Sequence, residues 1–198
     1  MQEKETKELP TKERILLESM KLFAVQGYEA VSVRMIGAKV GVRDSALYKH
    51  FRGKQEIFDT IVERARQRFF EKYEEEKFAG GADEEFEEMC LRMFQFQTKD
   101  PWIVLFRQML IMEQFKNPMM AKTYQELFID MPVDGMRMIF EDVMEKGMMK
   151  KANAKVLAME LYAPFFMYHT ISVDWKDMEQ LFREHARNFK NTFFIEQP

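Results

Sequence analysis

Three observations predict an all-α fold. Eight glycines and six prolines in 198 residues leave few places for turns. Apolar residues recur at three- and four-residue spacing over long stretches, the period of a helix with one buried face. These stretches are bounded by Ser, Asp, Asn, Pro or Gly, the residues that start and stop helices. The chain is 46% hydrophobic, with 19 Phe and 18 Met, so it can bury a sizeable core.

Residues 1–10 are charged, end in Leu9–Pro10 and are predicted to be a mobile arm. A first helix follows over residues 11–26, with Ile15, Leu16, Ser19, Met20 and Phe23 inward and Gly27 ending it. Ser32 is a good N-cap for a second, because its hydroxyl can accept a bond from a free helical N–H. Val33, Ile36 and Val40 fall on one face of that helix. Gly41 comes next, where a tight turn needs a residue tolerant of positive φ. Val42, Leu47 and Phe51 then form the apolar face of a third helix. Gly53–Lys54 opens a long helix toward residue 77, lined by Ile57, Phe58, Ile61, Val62, Ala65 and Phe69, and Gly80–Gly81 breaks it.

Residues 83–98 form the next helix, with an acidic start that complements the helix dipole. Phe86, Met89, Cys90, Met93, Phe94 and Gln97 point inward there. Asp100–Pro101 opens a helix to about residue 116, Asn117–Pro118 another to about 129, and Met131–Pro132 one ending near Gly147. Asn153 caps a helix to about residue 172, which Pro164 should kink by removing one backbone bond. Asp174 caps the last, to about residue 194. There is no internal repeat and no low-complexity segment.

Residues 32–54 carry the most information. Two short helices joined by a glycine turn make a helix-turn-helix, in which the second helix enters the DNA major groove. The charge agrees. Residues 30–55 hold Arg34, Lys39, Arg43, Lys49, Arg52 and Lys54 against Asp44 alone, a net +5. Residues 1–55 carry eleven Lys and Arg against seven acids; the remainder carries nineteen against 26. A basic head on an acidic body suits local contact with a nucleic acid. Arg43, Ser45 and Lys49 are candidates for base or nearby backbone contacts, and Ser32 and Arg34 begin the helix that crosses a phosphate strand. Lys54 sits at a helix start, where free N–H groups and the dipole also attract phosphate.

Over about a quarter of the chain this pattern resembles the DNA-binding head of the tetracycline-repressor (TetR) family. The matching residues are Thr11–Lys12 with Ile15 and Leu16, then Leu22–Phe23, Gly27–Tyr28 and Val33-Arg34-x-Ile36. Gly41–Val42, Leu47-Tyr48-x-His50-Phe51 and Lys54 complete it. Three positions depart from the pattern: Gly37 replaces an Ala, Arg43 a capping Ser and Ser45 a Gly. The resemblance implies an N-terminal helix-turn-helix head of three helices (1–55). A helical-bundle domain (56–198) binds effector and dimerises. It further implies phosphate contacts by Tyr48 and His50, and a homodimer, cytoplasmic and ligand-responsive, that represses at a palindromic double-stranded DNA operator. A long fourth helix would carry an effector signal from body to head.

Fifteen of the 18 Met lie after residue 55. Flexible methionines suit an adaptable apolar cavity, and the resemblance favours one in the body. The candidate lining is Met89, Met93, Phe94, Trp102, Phe106, Met109, Tyr124, Phe128, Phe140, Phe165 and His169, with Tyr124 and His169 as polar anchors. So apolar a set favours a lipophilic effector. The resemblance also places the last two helices in a dimer seam, with Val156, Met159, Leu181, Phe182, His185 and Phe189 as candidates. Two recognition helices read twice the bases that one can.

The acidic runs at 71–77 and 83–88 read as solvated helix faces. One cysteine, Cys90, allows no internal disulfide, and His50, His169 and His185 have no zinc spacing. No paired nucleophile and base and no phosphate loop stand out, so neither catalysis nor a cofactor is expected. No signal-like apolar run is seen, and the apolar stretches near Trp102 and Ala163 fall short of the ~20 residues that span a bilayer. Two other readings stay open: a body that binds a protein partner, and an α-helical ligand carrier with an incidental basic head.

Overall fold

A computed structural model describes residues 9–79, 86–170 and 175–195, with side chains described at all of these except 76–79, 170, 175 and 176. The predicted arm at 1–8, the Gly80–Gly81 break, the acidic start at Asp83 and the Asp174 cap lie outside the described residues. Within them the regular elements are helices: α1 (Thr11–Gln26), α2 (Val33–Val40), α3 (Asp44–Leu47), α4 (Lys54–Ala79), α5 (Phe86–Lys99), α6 (Pro101–Glu113), α7 (Pro118–Gln125), α8 (Met131–Glu145), α9 (Ala154–Thr170) and α10 (Trp175–Phe193). A π-helical turn, Glu126–Asp130, joins α7 to α8. Met149 and Phe194 form an isolated antiparallel bridge. The fold is all-α, as the sequence predicts.

Packing groups the chain into two compact units. One comprises residues up to Lys72 with Lys99–Gln125, the other Tyr73–Thr98 with Glu126 onward. The first therefore takes α6 and α7 along with the helix-turn-helix, so it extends past the functional division drawn at residue 55.

In the first unit α1 packs against α2 and α6. Ile15, Leu16, Met20 and Phe23 of α1 are buried, as are Ile36 and Val40 of α2 and Ile57, Phe58 and Ile61 of α4. Tyr28 links α1 to α4, its ring 5.1 Å from Phe23 and 5.5 Å from Phe58. Glu13 of α1 binds the Arg64 guanidinium of α4, which holds the Glu13 carboxyl below its ordinary range. Ser32 Oγ accepts from Met35 N at 3.3 Å, which starts α2. Its end is a Schellman closure. Gly41, at φ +77°, donates to Ala38 O at 3.2 Å, and Val42 N donates to Gly37 O at 2.9 Å. Gly37 is buried in that closure, and a Cβ there would lie 3.1 Å from Val42 O. Asp100 caps α6, its Oδ1 accepting from Trp102 N at 2.9 Å and Ile103 N at 3.0 Å.

In the second unit one core joins Cys90, Leu91 and Phe94 of α5, Val133 and Phe140 of α8, Leu157, Leu161 and Phe165 of α9, and Met178, Phe182 and Phe189 of α10. Phe94 stacks on Phe182 at 4.5 Å and meets Phe165 edge-on at 5.4 Å. Glu87 and Glu88, expected on a solvated face, instead pair with Arg187 (3.1 Å) and Arg183 of α10. Asn153 caps α9 as predicted, accepting from Lys155 N and Val156 N at 3.1 and 3.2 Å.

The chain differs from expectation at three helix ends. α3 is regular only over Asp44–Leu47; Tyr48–His50 continue it as a turn, with Phe51 N bonded to Leu47 O at 3.0 Å. α6 stops at Glu113, and Lys116 N and Asn117 N close on the Glu113 carbonyl. The break expected before Met131–Pro132 is absent. Proline at the first turn of a helix needs no N–H, so the wider π turn leads directly into α8.

Candidate nucleic-acid interface and ligand cavity

The helix-turn-helix presents its polar residues outward. Ser32, Arg34, Arg43, Ser45, Tyr48, Lys49 and His50 are all exposed, while Leu47 and Phe51 hold the segment to the core. Arg43 precedes α3 and makes no side-chain cap, which leaves its guanidinium at the surface. Arg34 Nε lies 3.7 Å from Asp44 Oδ2, so the segment's single acid faces a cation. Lys39 and Arg52 are exposed beside this set.

Lys54 departs from the expected free surface cation. It is half-buried; its Nζ donates to Tyr28 O at 2.8 Å and Glu29 O at 3.4 Å, and it sits 4.2 Å from the centre of the Tyr28 ring. Two of its three protons serve the turn after α1.

A cavity of about 560 Å³ lies in the second unit, within the size range of small-molecule sites. Its walls come chiefly from α5 (Met89, Cys90, Met93, Gln97), α8 (Gly135, Met136, Met138, Ile139, Asp142) and α9 (Ala158, Leu161, Tyr162, Phe165). Gly135 lets Tyr73 close one wall, since a Cβ there would fall 3.0 Å from the Tyr73 ring. Burial pushes the Cys90 thiol well up, so it stays protonated and acts as a small apolar wall. The Tyr162 hydroxyl donates to Phe128 O of the π turn at 2.6 Å and lies 2.8 Å from Gln97 Oε1.

Of the expected lining residues, Met89, Met93 and Phe165 do line this cavity. Phe94, Phe128, Phe140 and His169 are buried in the same unit without reaching it; the His169 ring meets Phe128 edge-on at 5.8 Å. Trp102, Phe106, Met109 and Tyr124 belong to the first unit. Phe106, Met109 and Tyr124 are buried there, and Trp102 stacks on Phe106 at 5.6 Å beneath the Arg68 guanidinium. Helical spacing marks an inward side chain but does not tell a filled core from a cavity wall. Gln97 was legible as an inward position. Gly135 was the one signal for α8, a glycine inside a helix being a place of close approach.

The residues expected in a dimer seam divide. Val156 (47%), Met159 (55%) and Leu181 (57%) are exposed large apolar residues. Phe182 (1%) and Phe189 are buried in their own unit's core, so they do not stand on a free face. His185 is half-buried, a ring nitrogen 3.2 Å from Leu161 O. Because α9 is apolar on several sides, its period did not separate the inner face from the outer.

A basic, exposed helix-turn-helix carried on an all-helical chain defines a DNA-binding protein of the transcription-regulator class. Residues 15–61 match the family model described as bacterial regulatory proteins, tetR family. Residues 15–61 are thus similar in sequence to the DNA-binding head of that family. Solved structures share the fold. A TerR/AcrR-family regulator from Aquifex aeolicus is 20% identical, with TM-score 0.72 over 90% of this chain and 99% of that one. The SmeT–triclosan complex, SmeT being a repressor from Stenotrophomonas maltophilia, is 20% identical at TM-score 0.67 over 94% and 92%. A transcriptional regulator from Saccharomonospora viridis in complex with choline is 19% identical at TM-score 0.65 over 94% and 98%. Among the described residues no helix is long and apolar enough to cross a membrane.

Proposed function

We propose that this chain is a TetR-family transcriptional regulator, a cytoplasmic homodimeric repressor. It binds a two-fold-related operator and is released by a lipophilic small molecule held in the second unit's cavity. It works by binding alone, without catalysis. The observation that carries the reading is the cavity itself, whose walls are methionine and aromatic in a chain with a basic recognition segment. The complexes of similar folds with triclosan and choline support a small molecule as occupant.

In this reading Arg43, Ser45 and Lys49 reach base edges, and Ser32, Arg34, Tyr48, His50 and the remaining proton of Lys54 hold phosphates. Val156, Met159, Phe166 and Met167 form an exposed apolar stripe along α9 at helical spacing, with exposed Leu181 on α10. A second copy covering these residues makes the dimer. Two recognition segments must then sit ~34–36 Å apart to match successive major grooves. α4 contributes Lys54–Lys72 to the first unit and Tyr73, a cavity wall, to the second. An occupant that favours a different seat for Tyr73 biases α4, and with it the head spacing. It must bind the released state better, or nothing shifts.

The test is fluorescence anisotropy of an operator selected from random DNA, with equilibrium dialysis of lipophilic compounds in parallel. The reading requires a saturable ligand whose binding weakens DNA affinity. If only phosphorylated or polar metabolites release DNA, the lipophilic assignment is wrong.

A further inference from the structure

We propose that the cavity reads a hydroxyl group: its ligand is a neutral, mainly apolar molecule whose hydroxyl is bound by Gln97 and Tyr162. The proposal rests on the effector reading above and narrows the chemistry of that site.

Charge comes first. Among the lining residues, Asp142 and Lys146 are the charged ones; they are exposed and bonded to each other at 2.6 Å. A carboxylate, phosphate or ammonium placed deeper would lose its hydration and meet no opposite charge, which is strongly unfavourable.

Two polar side chains lie deep in the wall. Gln97 is fully buried and Tyr162 nearly so, and they face each other at 2.8 Å. The Tyr162 proton has the shorter contact to Phe128 O at 2.6 Å. A phenol can accept as well as donate, and a carboxamide carries both a donor and an acceptor. A ligand hydroxyl also donates and accepts, so it matches this pair; an ether or ketone, which only accepts, matches half of it. Met89, Met93, Met136, Met138 and Phe165 supply the rest of the surface. Thioethers adapt to irregular apolar shapes and make favourable contacts with aromatic rings.

Such a site discriminates against the ligand that lacks the hydroxyl, because the buried polar pair then faces hydrocarbon where a hydroxyl would add a bond. Equilibrium dialysis with 2-naphthol, naphthalene and 2-naphthoate tests this on the full chain. The wild type should bind 2-naphthol about tenfold or more tighter than naphthalene, and 2-naphthoate weakest. Tyr162→Phe and Gln97→Met, each checked for native circular dichroism, should bring 2-naphthol down to the affinity of naphthalene and leave naphthalene within about twofold. Either variant suffices if the other fails to fold. Equal wild-type affinity for 2-naphthol and naphthalene overturns the hydroxyl assignment and leaves the lipophilic cavity standing. Preferential binding of 2-naphthoate, or variants that lose both neutral probes alike, overturns it too. No saturable binding of any probe overturns the cavity reading together with this one.

Discussion

Tyr48 and Lys54 separate what spacing reveals from what folding adds. Tyr48 is 55% exposed in the turn after α3. Tyr48→Ala should weaken binding to selected operator DNA and leave the melting temperature unchanged. Lys54 was legible as a cation at a helix start, but not as the residue whose ammonium reaches back to the Tyr28 and Glu29 carbonyls. No local pattern encodes a bond between residues 26 positions apart. Lys54→Ala should therefore act twice. It should remove one phosphate contact per half-site, lowering the salt slope by about one, and cost about 1–2 kcal/mol of stability through the lost bonds. Anisotropy across a salt series with parallel thermal melts reads both effects. A Lys54→Ala protein with wild-type melting and a lower slope would leave the ammonium as a DNA contact only.

At the scale of elements, turns and caps were legible and faces were not. Ser32, Gly41 and Asn153 start or stop helices where their chemistry requires, and Gly41 stands at φ +77°. Gly41→Ala places a Cβ in the left-handed region and should destabilise the head by about 1–2 kcal/mol, read as a lower denaturation midpoint. A helix with one apolar face can be oriented from its sequence; α9, apolar on several sides, cannot. The consequence is a contrast between two charges. Met159→Glu puts a carboxylate on an exposed residue of α9 and should give folded monomers by light scattering and circular dichroism. Phe182→Glu buries an unpaired charge against Phe94 at a cost of several kcal/mol, and should unfold the protein before any change in assembly can be read. A Met159→Glu protein that stays dimeric would move the seam away from the α9 stripe.

For the whole molecule, composition and one motif sufficed for the fold class and the DNA-binding head. Both are local or averaged properties of the chain. The cavity is neither. It depends on where three helices fail to fill the space between them, and on α8 approaching Tyr73 at Gly135. That is why only three of the expected lining residues stand on its wall and the Gln97–Tyr162 pair was not singled out. The central claim is that occupancy of this cavity governs the head. It is tested most directly by anisotropy of labelled operator during titration with 2-naphthol, comparing the wild type with Met93→Trp, a variant designed to fill the cavity. The account predicts that the wild type releases DNA as the compound saturates, while Met93→Trp binds DNA with wild-type affinity and does not respond. Operator that stays bound to the wild type at saturation, or is released equally from Met93→Trp, would contradict it.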